Sequence, residues 1–321
     1  MATQEPGLVT IVIPVYNGAN FVTEAIESAL AQTYPQVEIV AVNDGSTDGG
    51  ATEAILESYR GRIEIIHKAN GGVSSALNLG ISEARGQYIC WLSHDDLYEP
   101  TMVEKMMAVM NQHQGKTIVH SNLVTIDQWN NVLGRTDYPP LDPERVLELL
   151  LASWPIHGCA LMVPKDCFNE VGLFDEKLWL TSDYEMWLRM AKHGWGFRLQ
   201  PEHLVKSRIH RGQDSHARGP AQAKESEKMY GSVVRAVAPI LKERLGEVAP
   251  KMAHPKGLIK TPILALKEAK RYGYKPSIGY QLAFWSLIVM NHFRKIWRFM
   301  RAQMSKYPVF SRIVTKLARH S

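Results

Sequence analysis

The stretch VEIVAVNDGSTDG (residues 37–49) opens as a short β-branched apolar run and breaks into polar turn residues. A run without polar alternation is the pattern of a parallel strand covered on both faces. The Asn-Asp-Gly-Ser that follows marks a turn, and residues near 50–60 read as a helix. The same pattern recurs on either side. Leu8–Val15 (LVTIVIPV), Ile63–His67 and Tyr88–Leu92 read as further strands. Phe21, Val22, Ala25, Ile26, Ala29 and Leu30 repeat at helical spacing, and a second helical segment covers about 72–85. Strand, helix, strand repeated three times predicts an α/β fold, with a mostly parallel central sheet and helices on both faces.

In such sheets ligands gather beyond the carboxyl ends of the strands. The residues there are Pro14-Val15-Tyr16-Asn17-Gly18 after the first run and Asn43-Asp44-Gly45-Ser46 after the second. Lys68-Ala69-Asn70-Gly71-Gly72 follows the third, leading to a helix that carries Asn78, and Ser93-His94-Asp95-Asp96 follows the fourth. One such loop alone is a turn and a helix cap. Four at equivalent positions predict a polar ligand site. Neither G-x-G-x-x-G nor G-x-x-x-x-G-K-[ST] occurs, which excludes the usual dinucleotide and triphosphate loops. The Asp95-Asp96 pair offers oxygen ligands of the kind that hold Mg²⁺ or Mn²⁺ against a diphosphate.

The 321 residues are 45% apolar and 21% charged, an ordinary composition for a folded chain. Cys90, Cys159 and Cys167 match no metal-motif spacing, and an odd count opposes a disulfide framework; Cys90, in an apolar run, reads as a buried small hydrophobe. The net charge of +5 hides an asymmetry, because residues 241–321 hold 17 Lys and Arg against 3 Asp and Glu. The opening MATQEPGLVT lacks the pattern of a signal peptide. The longest mainly apolar stretch, Tyr280–Met290, falls short of the roughly 20 residues a spanning helix needs. The expectation is a cytoplasmic protein.

In order along the chain, VTIVIPVYNG (9–18), VNDGSTDG (42–49), NGGVSSALNLGI (70–81) and YICWLSHDDLYEP (88–100) resemble the amino-terminal motifs of glycosyltransferase family 2. GLFDEKL (172–178), SDYEMWLRMAKHG (182–194) and RIHRGQDS (208–215) resemble its acceptor-side motifs, so the likeness spans about residues 7–215. The resemblance implies the Rossmann-like GT-A fold and an inverting transfer of a sugar from a nucleoside-diphosphate donor, a UDP-sugar foremost. It implies a catalytic domain over 1–221, with a nucleotide-sugar-binding half (1–115) and an acceptor half (116–221). A basic helical extension over 222–321 follows.

Carried over position by position, the resemblance gives Asp44 the nucleotide base, with Pro14, Val15, Tyr16 and Asn17 packed beside it and Asn70 and Asn78 toward the diphosphate. His94 takes the ribose or diphosphate. Asp95 becomes the ligand of Mn²⁺ or Mg²⁺, with Asp96 and His210 completing its shell. Asp183 becomes the general base that deprotonates the acceptor hydroxyl. Trp154, His157 and Trp179 are candidates to line the acceptor pocket, although buried aromatic core is the commoner fate of tryptophan. Two positions depart from the family. Ser93 replaces the first carboxylate of D-x-D-D, and Ser182 replaces the Glu of a Glu-Asp pair. The alternative is a non-catalytic nucleotide-sugar-binding or scaffold protein of a glycan assembly complex.

In the extension, Phe293, Ile296, Trp297, Met300 and Met304 share one helical face, opposite Arg294, Lys295, Arg298 and Arg301. A second patch joins Val309, Phe310, Ile313, Val314 and Leu317 to Arg312, Lys316 and Arg319. Aromatic residues opposite cations suit a helix lying on an anionic membrane surface. The other use of such a face is docking on the catalytic domain or on a second copy as a homodimer. No nucleic-acid recognition motif is found. The sequence therefore predicts a peripheral enzyme at the inner face of the cytoplasmic membrane, acting on a lipid-linked glycan of the surface-polysaccharide or O-antigen type.

Overall fold

The computed structural model describes residues 4–113, 115–138, 146, 147, 150, 156–179, 181–210 and 212. These lie in the first of two compact units, Met1–Ala265 and Leu266–Ser321. Trp154, Arg211 and all residues after Gly212, the basic extension among them, lie outside the described residues. No helix among the described residues is long and apolar enough to cross a membrane.

The chain begins β1 (Glu5–Val15), α1 (Val22–Leu30), β2 (Val37–Asp44), α2 (Ala51–Ser58), β3 (Glu64–Lys68), α3 (Val73–Glu83) and β4 (Gly86–Trp91). Each predicted strand and helix of this half is present, with ends shifted by one to three residues. β1 pairs in parallel with β2 and β4, and β2 with β3. β5 (Leu97–Tyr98), α4 (Met102–Gln112), β6 (Thr117–Ile126) and β7 (Val132–Thr136) come next. After a 3₁₀ turn at Gly158–Ala160 come β8 (Leu161–Pro164), α5 (Lys165–Val171), α6 (Ser182–Lys192) and β9 (Gly196–Arg208).

The nine strands form one sheet in the order β3-β2-β1-β4-β8-β6-β9-β5, with β7 beside β6. The mostly parallel expectation describes the amino-terminal half. Beyond β4 the sheet is mixed. β8 runs antiparallel to both β4 and β6, β9 is parallel to β6, and β5 is antiparallel to β9.

Both faces of β1 are buried, as its unbroken apolar run requires. Val9, Ile11 and Ile13 pack with α1 and α4 residues such as Ile26 and Met106. Val12 faces the opposite layer with Leu77 and Ile81 of α3 and Trp187 of α6. Helix α3 approaches β1 so closely that a Cβ on Gly80 would stand 2.4 Å from Val12 Cγ1. This packing holds the carboxyl ends of β1, β2 and β4 in one row, with the α6 amino terminus in the layer behind.

Candidate functional site

The crevice starts where β1 and β2 end. Val15 pairs with Asn43 in the last rung of their ladder. The chain then turns through Asn17, whose φ of 48° lies in the left-handed region. Asparagine tolerates that conformation because its short amide bonds locally. Asn17 N–H donates to Ser46 Oγ at 3.0 Å, and Asn17 Oδ1 accepts from Thr47 N–H at 2.7 Å. The two loops are thereby tied together, and Tyr16 stands 44% exposed over them.

Asp44 is buried at the tip of β2. Its Oδ1 accepts from Lys68 Nζ at 2.6 Å and Gly71 N–H at 3.0 Å, and its Oδ2 from Gly72 N–H at 2.8 Å. Asn70 Nδ2 closes the loop by donating to the Asp44 carbonyl at 3.0 Å. A carboxylate offers about four lone-pair positions. Three are filled, so one remains, on Oδ2. Next to it Gly45 (φ +67°) is required, because a Cβ there would lie 2.6 Å from Asn70 N.

Asn78 has a different place from the one expected. Its Nδ2 donates to the Phe174 carbonyl at 2.9 Å and to Glu176 Oε1 at 3.0 Å, while its Oδ1 accepts from Phe174 N–H at 2.9 Å. The amide is buried and engaged at both ends. It stitches α3 to the segment that follows α5, whereas the resemblance implied a place toward the diphosphate.

The loop after β4 divides its two carboxylates. Asp95 Oδ2 lies 3.1 Å from His210 Nε2, and the His210 ring stands on Phe21 with centroids 4.9 Å apart. A carboxylate and an imidazole at this separation offer one oxygen and one nitrogen ligand to a divalent cation. Asp96 does not join them. Its carboxylate turns inward, where Oδ1 accepts Arg208 N–H at 2.8 Å. A carboxylate oxygen of Asp96, a His157 nitrogen and the Cys159 sulfur lie within 4.8 Å of one another. Burial, reinforced by the Asp95 charge, pushes the Asp96 carboxyl up to about 7.

Arg208 organises this loop and was not singled out from the sequence. Its side chain is fully buried. Nε donates to the Asp95 carbonyl at 2.8 Å, Nη1 to Asn130 Oδ1 at 2.8 Å and Nη2 to Glu24 Oε2 at 3.0 Å. The guanidinium carbon stands 4.5 Å from the centre of the Phe21 ring. Cys159 is the second such residue. Its sulfur meets Ser93 N–H at 3.3 Å and Ser93 Oγ at 3.2 Å, so the serine that replaces a family carboxylate is fixed against it. Lys68, which neutralises Asp44, is the third. Its sole signal is its position after the β3 run.

Asp183 sits in the first turn of α6, with Oδ1 accepting Tyr184 N–H at 2.7 Å. Burial raises its pKa, and the Tyr184 N–H and nearby His157 only partly oppose this. A carboxylate held above its ordinary range is a stronger proton acceptor. His157 is held below the usual imidazole range by burial, against the pull of Asp183 and Asp95. It therefore stands, largely neutral, within electrostatic reach of both. Its Nε2 is 3.2 Å from Ser207 Oγ.

His94 packs beneath the β1 loop, so closely that a Cβ on Gly18 would lie 2.7 Å from its Cδ2. Burial lowers its pKa. Trp179 is 49% exposed and stands over Gly72, where a Cβ would meet its ring at 3.8 Å. This sets the indole beside the Asp44 loop.

A family model described as glycosyl transferase family 2 matches residues 10–172. An uncharacterized glycosyltransferase of Rickettsia conorii is 44% identical over 218 residues, 65% of this chain and 35% of that protein. The chain thus spans about a third of that relative's length. Glycosyltransferase GlyG of Streptococcus pneumoniae is 31% identical over 180 residues, covering 51% of this chain and 59% of GlyG. Among solved structures, S. aureus TarS 1–349 in complex with UDP-GlcNAc superposes with a TM-score of 0.58 at 17% identity. The match covers 86% of this chain and 75% of that one, a likeness of fold.

Proposed function

Because this chain belongs to glycosyltransferase family 2, we propose that it is an inverting enzyme that moves a hexosyl or N-acetylhexosaminyl group from a UDP-sugar to an acceptor hydroxyl. The observation that carries the reading is the single acceptor position left on Asp44 Oδ2. A carboxylate only accepts, so it selects a base edge that donates, as the uracil ring N–H does. The complex of TarS with UDP-GlcNAc is consistent with such a donor.

Asp95 and His210 would hold Mn²⁺ or Mg²⁺, and the bound ion supplies charge neutralisation for the departing diphosphate. Asp183 accepts the proton of the attacking hydroxyl, with His157 within electrostatic reach on the acceptor side. Tyr16 flanks the donor end of the crevice, and Trp179, beside Gly72, is kept as the acceptor-side candidate. The basic extension is proposed to keep the enzyme at the inner membrane face, where a lipid-linked glycan would be its acceptor.

The test is release of nucleoside diphosphate from a panel of UDP-sugars with Mn²⁺. Asp183→Asn should lower turnover by on the order of 10²–10⁴ while UDP binding is kept. A wild-type rate in this variant would remove Asp183 from the mechanism. Donor binding without any release by the wild type would mark a binding module instead. For the membrane reading, sedimentation with anionic vesicles should weaken as salt rises, since surface charge attraction is screened. Salt-independent or absent sedimentation would exclude it.

A further inference from the structure

Asp96, the chain neighbour of Asp95, belongs to a second set of donors of a different chemical kind. Asp96, His157 and Cys159 each aim one ligand atom into a common space, all three atoms within 4.8 Å of one another. We propose that these three side chains form a site for a thiophilic divalent cation of the Zn²⁺ class, separate from the cation site of the transfer reaction.

The donor set argues for the class. One carboxylate oxygen, one imidazole nitrogen and one sulfur suit Zn²⁺, Co²⁺ or Cd²⁺, whereas Mg²⁺ and Mn²⁺ favour oxygen. Three protein ligands leave a fourth position open. Asp96 and Cys159 are buried and His157 is half-buried. Each donor also has an orienting partner, as ligands in metal sites do. Ser93 N–H and Ser93 Oγ meet the sulfur at 3.3 and 3.2 Å. Arg208 N–H holds Asp96 Oδ1 at 2.8 Å, and Ser207 Oγ lies 3.2 Å from His157 Nε2, which leaves His157 Nδ1 to the cation once it releases the Cys159 N–H that it accepts at 3.3 Å.

The charges and protons balance. On binding, the Cys159 S–H bond breaks and its proton, together with any proton on the Asp96 carboxyl, passes to the solvent, and the electron pair left on sulfur binds the cation. The thiolate and the Asp96 carboxylate then neutralise the double positive charge. Tetrahedral Zn²⁺ places its sulfur and nitrogen ligands roughly 3.6 Å apart, so the side chains need to close by on the order of 1 Å. Asp96 is held by the backbone of Arg208, whose side chain fixes the Asp95 carbonyl. A cation drawing Asp96 inward is therefore felt at Asp95, and Zn²⁺ should inhibit any Mn²⁺-dependent turnover.

The full-length protein is titrated with Co²⁺ and Cd²⁺ and read by ultraviolet absorption, which needs no catalysis. One equivalent should produce a thiolate-to-metal charge-transfer band that excess Mn²⁺ does not remove. Cys159→Ser should abolish the band, while Cys90→Ala and Cys167→Ala retain it. No band at several equivalents, or a band that survives in Cys159→Ser, would overturn the proposal. X-ray absorption of the Zn²⁺-loaded wild type tests it without any variant. One sulfur at about 2.3 Å is expected, and a shell of nitrogen and oxygen alone would refute it.

Discussion

Arg208 holds a guanidinium in the interior with no exposed surface, and its partners explain how that is tolerated. Two side-chain oxygens, Glu24 Oε2 and Asn130 Oδ1, and the Asp95 carbonyl accept from it, and Phe21 covers one face. The ion-pair partner Glu24 is 42% exposed, so losing the guanidinium strands no buried charge, and the cost comes from buried acceptors left unsatisfied, about 1–3 kcal/mol. Arg208→Met should lower the melting temperature and, by freeing the Asp95 loop, weaken Mn²⁺ binding measured by paramagnetic resonance. Arg208→Lys should recover only part of both, because one ammonium cannot reproduce the fork. An unchanged Mn²⁺ isotherm in Arg208→Met would reduce the residue to a purely structural one. The raised pKa of Asp183 has its own consequence. Below that pKa the carboxyl is protonated and cannot accept, so turnover should fall with acid at a pH above the ordinary aspartate range. A pH–rate profile reads this directly.

Among the elements, α3 is the most exposed to a small change. Alanine is about 1 kcal/mol better than glycine in a helix interior. Yet Gly80→Ala should destabilise by about 1–3 kcal/mol, since its methyl would collide with Val12 and displace α3 from β1. Urea unfolding checks the sign, and a gain in stability would show that the contact relaxes freely. The amino-terminal elements were legible because their strands are apolar throughout and their helices repeat cleanly. β6 and β9 were not. His120, Ser121 and Asn122 lie buried in the middle of β6, and the β6–β9 register shifts at Ser121 and Asn122. Polar residues inside a strand erase the apolar run, and the direction of β8 depends on connections that composition does not display. The site divides the same way. Asp44 and Asp95 stand at strand ends within motifs, whereas Arg208, Cys159 and the stitching role of Asn78 come from partners distant in the chain.

For the molecule as a whole, one buried group shapes its response to acid. His120 is fully buried, neither ring nitrogen has a hydrogen-bond partner, and burial lowers its pKa to about 3. At pH above roughly 6.5 both folded and unfolded forms hold it neutral. Below that the unfolded chain takes up a proton that the native state refuses, so stability falls between about 6.5 and 3. His120→Leu should remove this part of the slope and raise stability by about 1 kcal/mol at neutral pH, since two unsatisfied nitrogens disappear. Denaturant midpoints from pH 7 to pH 4 measure both effects, and an unaltered slope would count against them.

The Asn78 stitch to Phe174 and Glu176, added to a ladder that continues from β4 through β8 into β6, leaves no seam between the amino-terminal strands and those beyond β4. Such a body cannot swing shut like a hinged jaw around its substrate. Spin labels on the exposed positions Glu53 and Asn169 should keep the same separation when UDP is added. Whatever shelters the reaction from solvent must then be local, a rearrangement of segments along the rim of an otherwise stationary frame.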